Sequence, residues 1–181
     1  MIRYLCFLLA LLPLSSGCSP QTIEAQATKD AMIRDALRAA MPSITDKATI
    51  KDWQGNTLRE GSNGWVCFPT PTGFTAESSP MCLDKTWQAW ADAWANKKPF
   101  KAEGVGISYM LRGDSGASNT DPYATGSTPD NEWVVSGPHL MLLVPDAASL
   151  DAIPTDHHSG GPFVMWKGTP YAHVMVPVPS K

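Results

Sequence analysis

Gly113-Asp114-Ser115-Gly116 places a hydroxyl between a carboxylate and a flexible backbone. A serine hydroxyl becomes a nucleophile only with a base in reach and donors for the oxyanion. Asp156, His157 and His158 lie downstream and complete the order Ser, Asp, His. Ser115 acting with His157 or His158 is therefore a hydrolase reading. Against it, glycine, aspartate and serine are also the residues of which turns are made. A second pattern is the repeat His139-x-Met141 and His173-x-Met175. Residues two apart on a strand share a face, so neighbouring strands could bring two imidazoles and two thioethers together. Such a soft set suits copper better than calcium or magnesium. The competing reading is a strand buried on both sides, since Leu140, Leu142, Val174 and Val176 alternate with these residues and are equally apolar. Copper is the one cofactor this pattern raises, and no other cofactor is expected. The acids Asp114, Asp121, Asp130 and Glu132 do not have the spacing of an EF-hand. The chain contains no P-loop, Gly-x-Gly-x-x-Gly, His-Glu-x-x-His or Cys-x-x-Cys motif.

The elements that must position these residues follow from pattern and punctuation. Lys29 to Met41 carries apolar residues at helical spacing and stops at Pro42. Asp84 to Lys98 is a second helix, with Asp84 as cap and Pro99 as stop. Trp87, Trp90 and Trp94 form one stripe on it, either core or a stacking platform for a flat ligand. Between the helices, ATIKDW, TLREG and WVCF read as a three-stranded meander with turns at Gln54-Gly55-Asn56 and Ser62-Asn63-Gly64. Val105 to Leu111 is a strand, and residues 113–131 are a long loop rich in turn residues. Trp133 to Val135, continuing through His139 to Val144, then Phe163 to Trp166 and Tyr171 to Val178, supply the late strands. The ending Pro177-Val178-Pro179 suggests that the last strand lies at an edge. The expected fold is α+β, an antiparallel sheet of about five to seven strands packed against an N-terminal helix and a Trp-rich helix. Trp133, Trp166 and Tyr171 fall beside the long loop and are the expected lining of any ligand groove.

Composition limits the function. Apolar residues make up 43% of the 181 and charged residues 17%, which suits a packed domain and excludes wholesale disorder. A net charge of −3 argues against nucleic acid as a partner. Arg3 precedes the apolar run Tyr4 to Leu14, which is too short to cross a bilayer as a helix and reads as the core of an export signal. Four cysteines are present. Cys6 leaves with the signal, and Cys18 is modified or cut away. Cys67 and Cys82 remain as an even pair in an oxidising compartment. Two cysteines without another Cys or a nearby His do not complete a metal set, so a disulfide is expected.

Ser15-Ser16-Gly17-Cys18-Ser19 resembles the lipobox of bacterial lipoproteins, departing from it at Ser15, where that family prefers Leu. The resemblance implies acylation of Cys18, a signal peptide over residues 1–17 and an anchor in the outer membrane. Ala25-Gln26-Ala27 offers ordinary cleavage after Ala27 as the alternative, with a free periplasmic or secreted product. Residues 18–27 then read as a polar tether and 28–181 as a single α+β domain. Gly-Asp-Ser also resembles the nucleophile segment of trypsin-like proteases and of GDS-type esterases. The residue order conflicts with the first family, and the chain after Ser115 is too short for the second. The segments SITDKATIKDW, NTDPYATGSTPDNEWVVSGPHLM and PFVMWKGTPYAHVMV are similar to a family of uncharacterised exported bacterial proteins, which implies export and one domain but no site. The combined reading is a non-enzymatic envelope domain with a binding or assembly role. Its partners would be the membrane through the lipid anchor, and an envelope protein or small molecule. The serine hydrolase and the copper module stand as alternatives.

Overall fold

Asp84 begins the Trp-rich helix and also ties it to the sheet. One carboxylate oxygen accepts from the Trp87 amide at 2.9 Å, the other from the Ile107 amide at 2.6 Å. The helix runs Lys85–Ala95, and Lys97 just beyond it turns the chain with a φ of 53°. Trp87 and Trp90 are buried, so the stripe is core rather than an open platform. In the computed structural model the described residues are 20–72 and 78–179. The signal segment 1–17 and Cys18 lie outside them.

In chain order the helices are α1 (Pro20–Ala36), α2 (Pro42–Thr45) and α3 (Lys85–Ala95). The strands are β1 (Thr49–Lys51), β2 (Thr57–Arg59), β3 (Val66–Phe68), β4 (Met81–Leu83) and β5 (Gly106–Met110). They continue with β6 (Ala117–Ser118), β7 (Trp133–Val134), β8 (His139–Leu143), β9 (Phe163–Met165) and β10 (His173–Pro177). Eight strands form one sheet in the order β2-β1-β3-β4-β5-β8-β10-β9, and β6 pairs with β7 in a small separate sheet. Among the described residues all strand pairings but one are antiparallel, so the architecture is α+β as expected, but the main sheet has eight strands where five to seven were expected and contains one parallel pair.

Four local expectations are corrected. First, α1 begins at Pro20 and covers most of the segment read as a tether. Proline is tolerated in a first helical turn, and Gln, Glu, Ala and Lys propagate a helix well. It ends at Ala36, before Met41, because the following backbone is recruited elsewhere. Arg38 and Ala39 bond back only three residues, and the Ala39 carbonyl accepts from Leu111 at 2.9 Å.

Second, β1 to β3 are not a meander. β1 lies between β2 and β3, and β3 runs parallel to it. The connection crosses the start of β1, where the Ser62 and Asn63 amides both bond to the Lys47 carbonyl at 2.8 and 3.3 Å. A Cβ on Gly61 would overlap the backbone of Ala48 and Thr49, so this crossing needs glycine.

Third, Trp133 to Val144 is two strands in two sheets. Asp114 takes the Ser136 amide at 3.0 Å, and Pro138 has no amide to extend a ladder. Fourth, β10 is internal, between β8 and β9. The Val178 amide bonds to Pro138 on the β8 side at 2.9 Å, so the missing N–H of Pro177 faces the other way. There β9 has already run out, since its last pair is Phe163 with Met175.

The two sheet faces are covered differently. On one, Ala36 at the end of α1, with Ala39 and Ala40 in the turn after it, packs on Ile50 and on the Cys67–Cys82 disulfide, both of whose cysteines are fully buried. These cysteines are direct cross-strand neighbours on β3 and β4. On the other face, α3 and Val134 of β7 close over Leu83, Leu143, Phe163, Met165 and Met175. A smaller cluster joins Leu150 to Val164 and Val174.

Candidate functional site

The β5–β8–β10–β9 ladder fixes what the covered face presents. Met110 stands opposite His139, which stands opposite Pro177. One step along, Ser108, Met141, Met175 and Phe163 form the next row. His173 opposite Met165 belongs to a third. The four His-x-Met residues thus share one face, as period two implies. They do not surround one point. His139 pairs with Pro177, four residues from His173, which places about 13 Å of strand between the two histidines. Upright side chains at that separation do not share one ion. The expected four-ligand set is therefore not formed.

Each imidazole is held in the same way. Nδ1 of His139 donates to the Gly137 carbonyl at 2.7 Å, and Nδ1 of His173 donates to the Tyr171 carbonyl at 3.0 Å. A carbonyl only accepts, so the proton of each neutral ring sits on Nδ1 and the lone pair on Nε2. The surroundings then differ. Trp87, Trp90 and Trp166 stand edge-on around His173, with centroids at 5.4, 5.7 and 5.0 Å. Burial in this apolar cage pushes its pKa down to about 4. His139 is also pushed down by burial, against the pull of the Asp114 carboxylate. Its Nε2 is buried without a hydrogen-bond partner and lies 3.9 Å from Asp114 Oδ2.

Ser115 is half-buried, and its hydroxyl meets the Ser79 hydroxyl at 2.8 Å. Asp156 accepts from the backbone amide of His158 at 2.8 Å, capping a short 3-10 turn ahead of β9. The His157 and His158 rings meet at 3.8 Å on that turn, tilted by 40°. Among the described residues no hydrogen bond or ion pair joins either histidine to Ser115. Next to Ser115 in the chain, Asp114 instead approaches His139, with Oδ2 3.9 Å from Nε2. Sequence reasoning missed it because it depends on how the loop after β5 folds against the start of β8.

The aromatic residues expected to line a groove are mostly interior. Trp166 is buried, lies parallel to Trp90 at 5.7 Å and donates Nε1–H to the Ser118 carbonyl at 2.6 Å. Tyr171 is buried and donates to the Lys98 carbonyl at 2.9 Å. Trp133 is half-buried, and its indole lies so close to Gly116 that a Cβ there would overlap the ring. The expected groove is thus filled by the protein's own side chains. Tyr123 is exposed, stacks on Trp94 at 6.1 Å and lies under Lys97 Nζ at 5.0 Å. Beside it the 120–131 loop forms a shallow cleft edged by Thr120, Asp121, Thr125, Asp130 and Asn131.

Comparison with known proteins finds no matching family model, curated protein or solved structure. No helix among the described residues is long and apolar enough to cross a membrane.

Proposed function

We propose that this chain is a non-enzymatic domain of the bacterial envelope, exported by its first 17 residues and held at the outer membrane through an acylated Cys18. Its role is binding or support of an assembly, with the cleft beside Tyr123, lined by hydroxyls, an amide and the Asp121 and Asp130 carboxylates, as the place for a small polar ligand. The observation that carries the reading is the fully buried Cys67–Cys82 disulfide at the centre of a core cluster, a feature of proteins that fold outside the reducing cytosol. The state of Ser115 supports the absence of hydrolysis. Its hydroxyl is engaged by Ser79, while His157 and His158 occupy a separate turn.

A serine-reactive fluorophosphonate probe tests the non-enzymatic part. The folded protein is expected to remain unlabelled at Ser115. Stoichiometric labelling that disappears in Ser115→Ala would establish the hydrolase instead.

A further inference from the structure

We infer that Met110, His139 and Met141, at one end of the covered sheet face, form a binding site for a soft monovalent metal ion, Cu(I). Met110 and His139 are direct cross-strand partners on β5 and β8. Residues so paired hold their Cβ atoms about 5 Å apart. Met141 follows His139 on the same face of the same strand, opposite Ser108. One imidazole and two thioethers therefore rise from adjacent positions of a rigid ladder. Met110 is not part of either His-x-Met repeat.

The state of the imidazole points to a ligand. Its Nδ1–H is fixed on the Gly137 carbonyl, which is how protein imidazoles that bind metals are held and oriented. That bond leaves the lone pair of Nε2 directed into the interior. The ring is 1% exposed, and Nε2 has no hydrogen-bond partner. Buried polar atoms are nearly always satisfied, so an orphaned nitrogen of this kind calls for an occupant. Ser108 Oγ, beside Met141 across the ladder, is a second buried atom without a partner.

Charge and softness select the ion. The Asp114 carboxylate, with Oδ2 3.9 Å from Nε2, lies close enough to offset one positive charge. Its Oδ1 accepts from the Gly116 and Ser136 amides at 2.9 and 3.0 Å, which fixes the carboxylate with Oδ2 beside the imidazole. Harder or borderline ions would need more nitrogen, oxygen or thiolate donors. Among the described residues no cluster of three His, Cys, Asp or Glu exists to supply them. Thioethers with imidazole favour Cu(I). His173 takes no part, because three indoles already wall it in. The site holds Cu(I) without any change of oxidation state.

The test uses the disulfide-intact mature chain, with Cu(I) kept reduced by ascorbate and titrated against a competing Cu(I) chelator. Ag(I) serves as a redox-inert second probe. One ion per chain is expected, with sulfur in the first shell by X-ray absorption at the copper edge. The Met110→Leu/Met141→Leu pair keeps core volume and fold, checked by circular dichroism, yet should weaken binding at least about tenfold. His139→Gln should do the same, and His173→Phe should leave affinity unchanged. Failure to bind either probe, affinity unaltered in the double Leu variant, or a first shell of nitrogen and oxygen alone would overturn the proposal.

Discussion

His173 occupies a position that a charged ring cannot hold without disrupting its neighbours. Three indoles surround it, and the pKa falls from 6.5 to about 4. The sign of the consequence is fixed. Above pH 6.5 the ring is neutral in both folded and unfolded chains, and its contribution to stability is complete. Below that, the unfolded chain takes up a proton that the folded chain refuses until about pH 4, so stability drains away across this window. A shift of that size corresponds to a loss of about 3 kcal/mol by its lower end. His139, also lowered by burial, acts in the same direction. Asp35 acts at lower pH. Burial opposes its charge, but hydrogen bonds from Thr70 and Ser78 and the charge of Arg38 outweigh burial and hold its carboxyl below the usual range. Urea unfolding of wild type and His173→Phe from neutral pH to pH 4.5 checks this. The wild-type midpoint is expected to fall clearly more steeply, and equal slopes would show that the neutral buried imidazole is not responsible. At this scale the sequence was legible where chemistry is local. The even cysteine pair and the tryptophan stripe were read from spacing alone. The Asp114–His139 approach and the pairing of Met110 with His139 were not, because each joins residues about 25 to 30 apart through a ladder whose register no local pattern states.

Among the elements, α3 does the most to position the covered face. Its cap is a double tether. Asp84→Ala removes the acceptor for the Trp87 amide and also that for the Ile107 amide in β5. A lost cap costs about 1 kcal/mol, and a stranded strand amide adds about as much again or more. Chemical denaturation should therefore show a loss of about 2 kcal/mol or more. A loss within error of zero would mean that the helix is held by its tryptophans alone. Local punctuation made α3 readable, since Asp and Pro act over a few residues. It failed where a distant strand decides. Pro177 suggested an edge, yet it sits in an internal strand at a point its neighbour does not reach. Three consecutive strands suggested a meander, yet the close approach of Gly61 carries the chain across β1 and makes β3 parallel to it. A long loop suggested one irregular segment, yet β6 within it pairs with β7.

As a whole the molecule is one large sheet with a different cover on each side. The disulfide face is closed by small residues, with Ala36 at the end of α1 and Ala39 and Ala40 just beyond it against Ile50. The tryptophan face is closed by large ones. The bridge closes a separation of 15 residues, which in the chain-entropy account contributes about 3 kcal/mol. For a domain of this size that is a substantial share of net stability. It is also a contribution that a reducing compartment would remove, which ties the core to the proposed export. Mass spectrometry of the native protein, purified from the cells that make it and analysed with and without reductant, tests that claim most directly. We predict a chain that begins at an acylated Cys18 and gains two hydrogens, at Cys67 and Cys82, only on reduction. An intact Met1 with both thiols already free would contradict it.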